Sequence, residues 1–125
     1  MDKMIINSYI KNDPLHEQNL DEVLKLVQEI RNSFSEKTIW LYTGFEWSSL
    51  MAKIHQPICE DKDFEHIIKI HKKRQKIIKL CDVVVDGEYI DEQKDLTLKW
   101  RGSKNQHVID VQKSLAQNKV VLYCD

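Results

Sequence analysis

Asp82-Val83-Val84-Val85-Asp86-Gly87 decides the architecture of this chain. Three consecutive β-branched residues stand between two aspartates, with no polar residue on alternate positions. A strand with one wet face alternates apolar and polar side chains. A short continuous apolar run is the pattern of a parallel strand covered on both faces. Upstream, Phe64 to about Leu80 has a helical pattern, with Phe64, Ile67, Ile68, His71 and Ile78 near one face. Thr38-Ile39-Trp40-Leu41-Tyr42 is a second buried strand, stopped at Thr43-Gly44. Between those strands Glu46 to about His55 reads as a helix broken before Pro57, and residues 58–62 as a loop. Leu20, Val23, Leu24, Val27, Ile30 and Phe34 recur at steps of three and four, which predicts a helix. Asn19 stands at its N-cap position and Glu22 completes a variant capping box. Ile5 to Ile10 reads as the first strand, turned at Pro14.

Strand, helix, strand, helix, strand implies parallel pairing through right-handed crossovers. Downstream, Glu88 to Asn105 is polar and loop-like. Val108–Val111 and Val120–Tyr123 read either as two strands joined around Lys119 or as a strand and a strap. The 125 residues fit one domain, spanning 1–125. A formal net charge of −1 gives no global attraction to nucleic acid or to an acidic membrane. No apolar run approaches the roughly 20 residues of a membrane span, and the first ten residues lack a signal-peptide pattern. The expected location is cytoplasmic. Cys59, Cys81 and Cys124 are odd in number and widely spaced, which argues against a disulfide framework.

In a parallel α/β sheet, ligands sit at the C-terminal ends of the strands. Asp13-Pro14, Thr43-Gly44 and Asp86-Gly87 each follow a candidate strand, so parallel pairing puts all three on one rim. Gly44 and Gly87 let a ligand approach the backbone, and Asp13 and Asp86 can accept from an amine or bind a cation. Spacing alone is equally satisfied by ordinary strand-to-helix turns, where Gly and Asp are common. Trp100-Arg101-Gly102-Ser103-Lys104-Asn105-Gln106 is the most unusual segment. Arg101 can clamp a carboxylate or phosphate, with Gly102, Ser103 and Asn105 adding donors, or the segment is a solvated loop. The lysines of residues 69–79 lack interleaved aromatics and read as a solvated helix face rather than a nucleic-acid site. The five histidines make no zinc pattern.

Taken together, these segments resemble the activating proteins of anaerobic ribonucleoside-triphosphate reductases. The resemblance rests on Asp13-Pro14-Leu15-His16-x-Gln18-Asn19, Ile39-Trp40-Leu41-Tyr42-Thr43-Gly44-Phe45 and Asp82-Val83-Val84-Val85-Asp86-Gly87. It continues through Lys94 to Gln106, with its Trp-Arg-Gly-Ser-x-Asn-Gln block, and through Val108-Ile109-Asp110-Val111. It implies an α/β fold: a partial radical S-adenosylmethionine (β/α) barrel with about three parallel strands and a C-terminal extension. It implies an oxidoreductase that uses S-adenosylmethionine and a 4Fe–4S cluster to make the glycyl radical of the reductase, its partner. Asp13, Thr43, Gly44 and Asp86 would then line a cofactor rim. Arg101, Ser103, Asn105 and Gln106 would form a C-terminal site facing cofactor or reductase.

Two departures qualify the resemblance. The family's Cys-x-x-x-Cys-x-x-Cys loop has no counterpart here, so the chain corresponds to the C-terminal portion of the family. A cluster is not expected in this chain alone, and it is expected to be inactive by itself. The family's Gly-Gly-Asp-Pro-Leu reads Lys11-Asn12-Asp13-Pro14-Leu15, which crowds the cofactor's methionyl end. The alternative is a non-catalytic module that docks on the reductase or on a full-length activase. The absence of preceding strands would leave a sheet edge at Ile5, Ile6 and Tyr9 open to self-association.

Overall fold

The computed structural model describes residues 3–7, 13–54 and 62–123. Four strands form one sheet in the order β1-β2-β3-β4: β1 is Lys3–Ile6, β2 Thr38–Tyr42, β3 Val83–Asp86 and β4 His107–Asp110. β1, β2 and β3 run parallel, and β4 is antiparallel to β3. The three parallel strands expected from the sequence are therefore present, in a mixed α/β sheet that does not close on itself among the described residues. The strand expected at Ile5–Ile10 starts earlier, at Lys3, and Ser8 to Asn12 lie outside the described residues.

The helices are α1 (Leu20–Ser33), α2 (Trp47–Leu50), α3 (Lys62–Lys79) and α4 (Val111–Gln117). Leu20, Val23, Val27 and Ile30 of α1 and Ile77 and Ile78 of α3 pack on Ile39, Leu41, Val84 and Ile109 of the sheet. The opposite face carries Trp40, Val83, Val85 and Val108, also buried. β3 is thus covered on both sides, as its unbroken valine run requires. Trp100 and Tyr123 close that second face, their rings 5.2 and 5.0 Å from Trp40, and Lys3 Nζ lies over both tryptophan rings.

Several local expectations are corrected. Asn19 occupies the N-cap position but makes no capping bond. A 3-10 turn over Glu17–Asn19 precedes the helix, and the Asn19 amide donates instead to the Asp13 carbonyl at 3.0 Å. Phe34 lies beyond the end of α1 and is exposed. In α3, Ile67 faces solvent while Ile77 is fully buried, because the face is set by Ile70, Ile77 and Ile78. α2 is one turn long: Trp47 and Leu50 are its inward anchors, and Ser48 and Ser49 between them are weak helix formers. Val111 starts α4 rather than ending a strand, since the Asp110 carboxylate caps the Lys113 amide at 3.0 Å. Val120–Tyr123 is a strap with a single bridge, Leu122 to Ile109. No helix among the described residues is long and apolar enough to cross a membrane.

Candidate functional site

The turns that follow β2 and β3 meet Asp13 at one end of the sheet. Asp13 Oδ1 accepts from Leu15 N at 2.9 Å and from Thr43 Oγ1 at 2.8 Å, and Oδ2 accepts from Gly44 N at 2.5 Å. A Cβ on Gly44 would stand 3.3 Å from that same oxygen, so the close approach suits glycine. Thr43 N donates to Val85 O, and Gly87 N to Phe45 O, which ties the second turn to the third. Asp13, Thr43, Gly44, Gly87, Glu88 and Gln106 line an open cleft of about 270 Å³.

Asp86 belongs to the same turn but spends its carboxylate elsewhere. Its Oδ2 accepts from Trp47 N at 2.8 Å and its Oδ1 from His107 N at 3.0 Å, and the residue is buried. Gly87 takes φ +87°, a conformation that strains any L side chain, and lets Asn105 pass close by.

The segment from Trp100 to Gln106 folds back onto this turn. Gln106 Nε2 donates to Gly87 O at 3.0 Å, while its Oε1 accepts from the amides of Gly102 and Ser103. Asn105 Nδ2 donates to Glu88 O at 2.7 Å. Ser103 is fully buried, donating to Asn105 Oδ1 at 2.6 Å and accepting from Ile90 N. Arg101 Nη1 donates to the Gln106 carbonyl at 2.5 Å. The polar residues singled out in the sequence are therefore one connected construction. Asp13, Thr43 and Gly44 border the open cleft with Gln106. Asp86 and Asn105 border the neighbouring one, and Arg101 and Ser103 line neither.

Sequence reasoning missed His107 as a partner of Asp86, with Nδ1 3.1 Å from Oδ1. The two residues are directly opposed across an antiparallel pair, a register with no linear signal. The basic run in α3 is partly structural. Arg74 Nε donates to Leu15 O at 2.8 Å, which packs the Asp13 turn onto the helix, and Lys73 pairs with Asp21. Lys69, Lys72, Lys76 and Lys79 face solvent.

A mostly parallel four-stranded sheet with its turns gathered into one polar rim defines a mixed α/β fold. The chain belongs to the 4Fe–4S single cluster domain family, whose model matches residues 12–109. More particularly, it is similar to the anaerobic ribonucleoside-triphosphate reductase-activating protein of Escherichia coli strain K12. The identity is 36% over 96 residues, covering 77% of this chain and 49% of that protein. The proteins of the same name from Vibrio cholerae and from Enterobacteria phage T4 match at 35% over 94 residues and 36% over 98 residues. They cover 75% and 77% of this chain, and 48% and 47% of the respective relatives. The chain spans about half the length of the curated relatives it matches. No solved structure matches it.

The described residues do not fit a 4Fe–4S cluster. Such a cluster needs thiolates converging on its irons. Cys81 is fully buried, its thiol donates to Ile77 O at 3.3 Å, and burial pushes its pKa up to about 12. No group of three or more His, Cys, Asp or Glu side chains suited to a metal converges among the described residues. Cys59 and Cys124 lie outside them. The 270 Å³ cleft falls below the roughly 300–1,000 Å³ of a pocket that encloses a drug-sized ligand.

Cys81 gives a direct prediction. Reactivity follows thiolate and exposure, so iodoacetamide at mildly alkaline pH should leave Cys81 unmodified in the folded chain and label it fully in denaturant. Peptide mass mapping reads the difference, and labelling of folded Cys81 at the denatured rate would refute the burial. The same shift has a pH consequence. The thiol ionises near 9.0 when free and near 12 when folded, so its contribution to stability is intact below 9 and declines as pH rises toward 12.

Proposed function

We propose that this chain acts in the activation of an anaerobic ribonucleotide reductase, as the part of a radical S-adenosylmethionine barrel that shapes one wall of the cofactor site. In this reading Asp13, Thr43, Gly44 and Asp86 set the rim. Asp13 and Asp86 are positioning residues, because their oxygens fix backbone amides and the Thr43 hydroxyl. Arg101, Ser103, Asn105 and Gln106 hold the loop that faces cofactor or reductase. The observation that carries this reading is the Asp13 carboxylate joining its own turn to Thr43 and Gly44, within the stretch that matches the 4Fe–4S single cluster domain family. The chain by itself generates no radical, since Cys81 is unsuited as a cluster ligand and the sequence has no compact three-cysteine loop.

Anaerobic reconstitution with iron and sulfide tests this, followed by iron analysis and electron paramagnetic resonance of the reduced sample. The expected result is no stoichiometric iron and no cluster signal. A 4Fe–4S signal that shifts on adding S-adenosylmethionine would overturn the claim of inactivity.

A second reading, a non-catalytic docking module, is favoured by β1. Among the described residues it forms one edge of the sheet, and Ile5 on it is exposed. An open edge is a template for a strand from another chain, whether a second copy or a full-length activase. Sedimentation of the chain alone, with the reductase and with a full-length activase separates these readings. A monomer that binds neither itself, the reductase nor the activase would sink the docking module.

A further inference from the structure

The buried Asp86 carboxylate organises a second cleft, on the helix side of the sheet. Asp86 and His107 are paired across β3 and β4, and His107 lies on the same face as Ile109. An ionised carboxylate only accepts hydrogen bonds, so the neutral tautomer that suits this 3.1 Å contact has Nδ1 donating to Asp86 Oδ1. That tautomer leaves the lone pair on Nε2, which has no hydrogen-bond partner among the described residues. The orientation is well enforced, because the same Asp86 oxygen also receives the His107 amide and the other oxygen receives Trp47 N.

His107 borders a cleft of about 440 Å³, inside the usual range for a small-ligand pocket. Trp47, Ile90, Ile109 and Val120 supply apolar walls, and Glu46 and Ser48 add polar groups. Among the described residues no lysine or arginine lines it. Glu46 is an exposed carboxylate there, and the Asp86 charge lies beneath the ring. Two negative charges without a lining cation favour a positive ligand, and the apolar walls favour an aliphatic stem. His107 Nε2 matches an N–H donor.

We propose that this cleft binds an alkylammonium group on an apolar stem. His107 Nε2 accepts one ammonium proton, and Glu46 neutralises the charge. The group can come from a free amine or from a lysine side chain of a docked polypeptide. This cleft adjoins the one under Gly44 and shares Gly87 with it, and its argument does not rest on the reductase reading.

The test is titration of the isotopically labelled chain at about pH 8, where an alkylammonium keeps its charge. The probes are n-butylamine and N-acetyl-lysine-methylamide, with n-butanol and butyrate as controls, and the readouts are the His107 imidazole nitrogens and the Trp47 indole. A saturable shift at both residues is expected with an amine probe and not with either control. Glu46→Gln and His107→Phe should each weaken binding about tenfold, the scale of one charge-assisted hydrogen bond. Glu46 is exposed, and in His107→Phe the Asp86 carboxylate keeps the His107 and Trp47 amides, so an unchanged amide spectrum away from the cleft checks that each variant is folded. Tighter binding of butylamine identifies a free amine as the ligand, and tighter binding of the lysine derivative identifies a polypeptide side chain. No saturable shift with either probe, an equal shift with n-butanol, or unchanged affinity in both variants would overturn the proposal.

Discussion

Trp40→Ala is expected to cost about 3–5 kcal/mol of folding stability, the range for truncating a large buried aromatic. Trp40 is 1% exposed and sits mid-strand in β2, in register with Ile5 on one side and Val83 on the other. Its ring is the platform for Trp100, the edge-on Tyr123 and the Lys3 ammonium on this face. Trp100 holds φ +70°, a left-handed conformation that costs an aromatic residue on the order of 1–3 kcal/mol. Its ring contact and the bond from Tyr42 OH to its carbonyl, at 2.7 Å, offset that cost. Without the Trp40 platform, the segment from Lys94 to Ser103 loses the ring contact that holds Trp100. Denaturant unfolding should show the loss, and trypsin should cut at Lys99 and Arg101 faster than in the parent chain. Trp100→Gly removes one ring contact but also relieves the backbone, so its cost should be much smaller. A Trp40→Ala loss below about 1 kcal/mol would mean that the segment from Lys94 to Ser103 does not depend on this ring.

The contrast between strand cores and strand ends explains what was legible in the sequence. The Val83–Val85 run and the Thr38–Tyr42 run were readable because burial on both faces leaves a local signature. The face of α1 was readable because four of its apolar positions repeat with the helix. The gathering of Asp13, Thr43-Gly44 and Asp86-Gly87 at one end follows from parallel pairing alone, and that much was visible. The use made of each carboxylate was not. The Asp86–His107 contact arises from an antiparallel strand twenty-one positions away, and its register is set by a loop whose folding depends on Ser103 and Gln106. α4 was hidden because Val108, Ile109 and Val111 read as one β-branched run. The Asp110 cap was the signal for its start, and Asn118 in the left-handed conformation closes it.

At the other end of the strands, Arg31→Ala should destabilise the chain by about 2–3 kcal/mol, because it orphans several partly buried acceptors at once. The guanidinium sits at the end of α1 and reaches three separate segments. Nε donates to Leu80 O at 2.7 Å, Nη1 to Lys37 O at 3.0 Å, and Nη2 to Asp82 Oδ2 at 2.6 Å. The same Asp82 oxygen accepts from Ile39 N at 2.7 Å, so one carboxylate joins the starts of β2 and β3. Arg31→Lys should recover less than half of the loss, since a single ammonium cannot span the three acceptors that a planar fork reaches. The ion pair itself is a minor part: its side chains are 24% and 32% exposed, and solvent screening holds such pairs to about 1 kcal/mol or less. A double-mutant cycle with Asp82→Asn should therefore give a coupling energy well below the Arg31→Ala loss. Coupling as large as the whole loss would assign the effect to charge rather than to the carbonyl contacts. Position in the sheet gives the comparison its meaning. Arg31 and Asp82 act where the parallel strands begin, remote from the rim, so their loss should lower the unfolding midpoint in the folding assay and leave the local geometry at Gly44 intact. Asp13→Ala, at the strand ends, removes the bonds to Thr43 and Gly44 themselves, and its amide shifts should concentrate at those two residues even where the midpoint moves little.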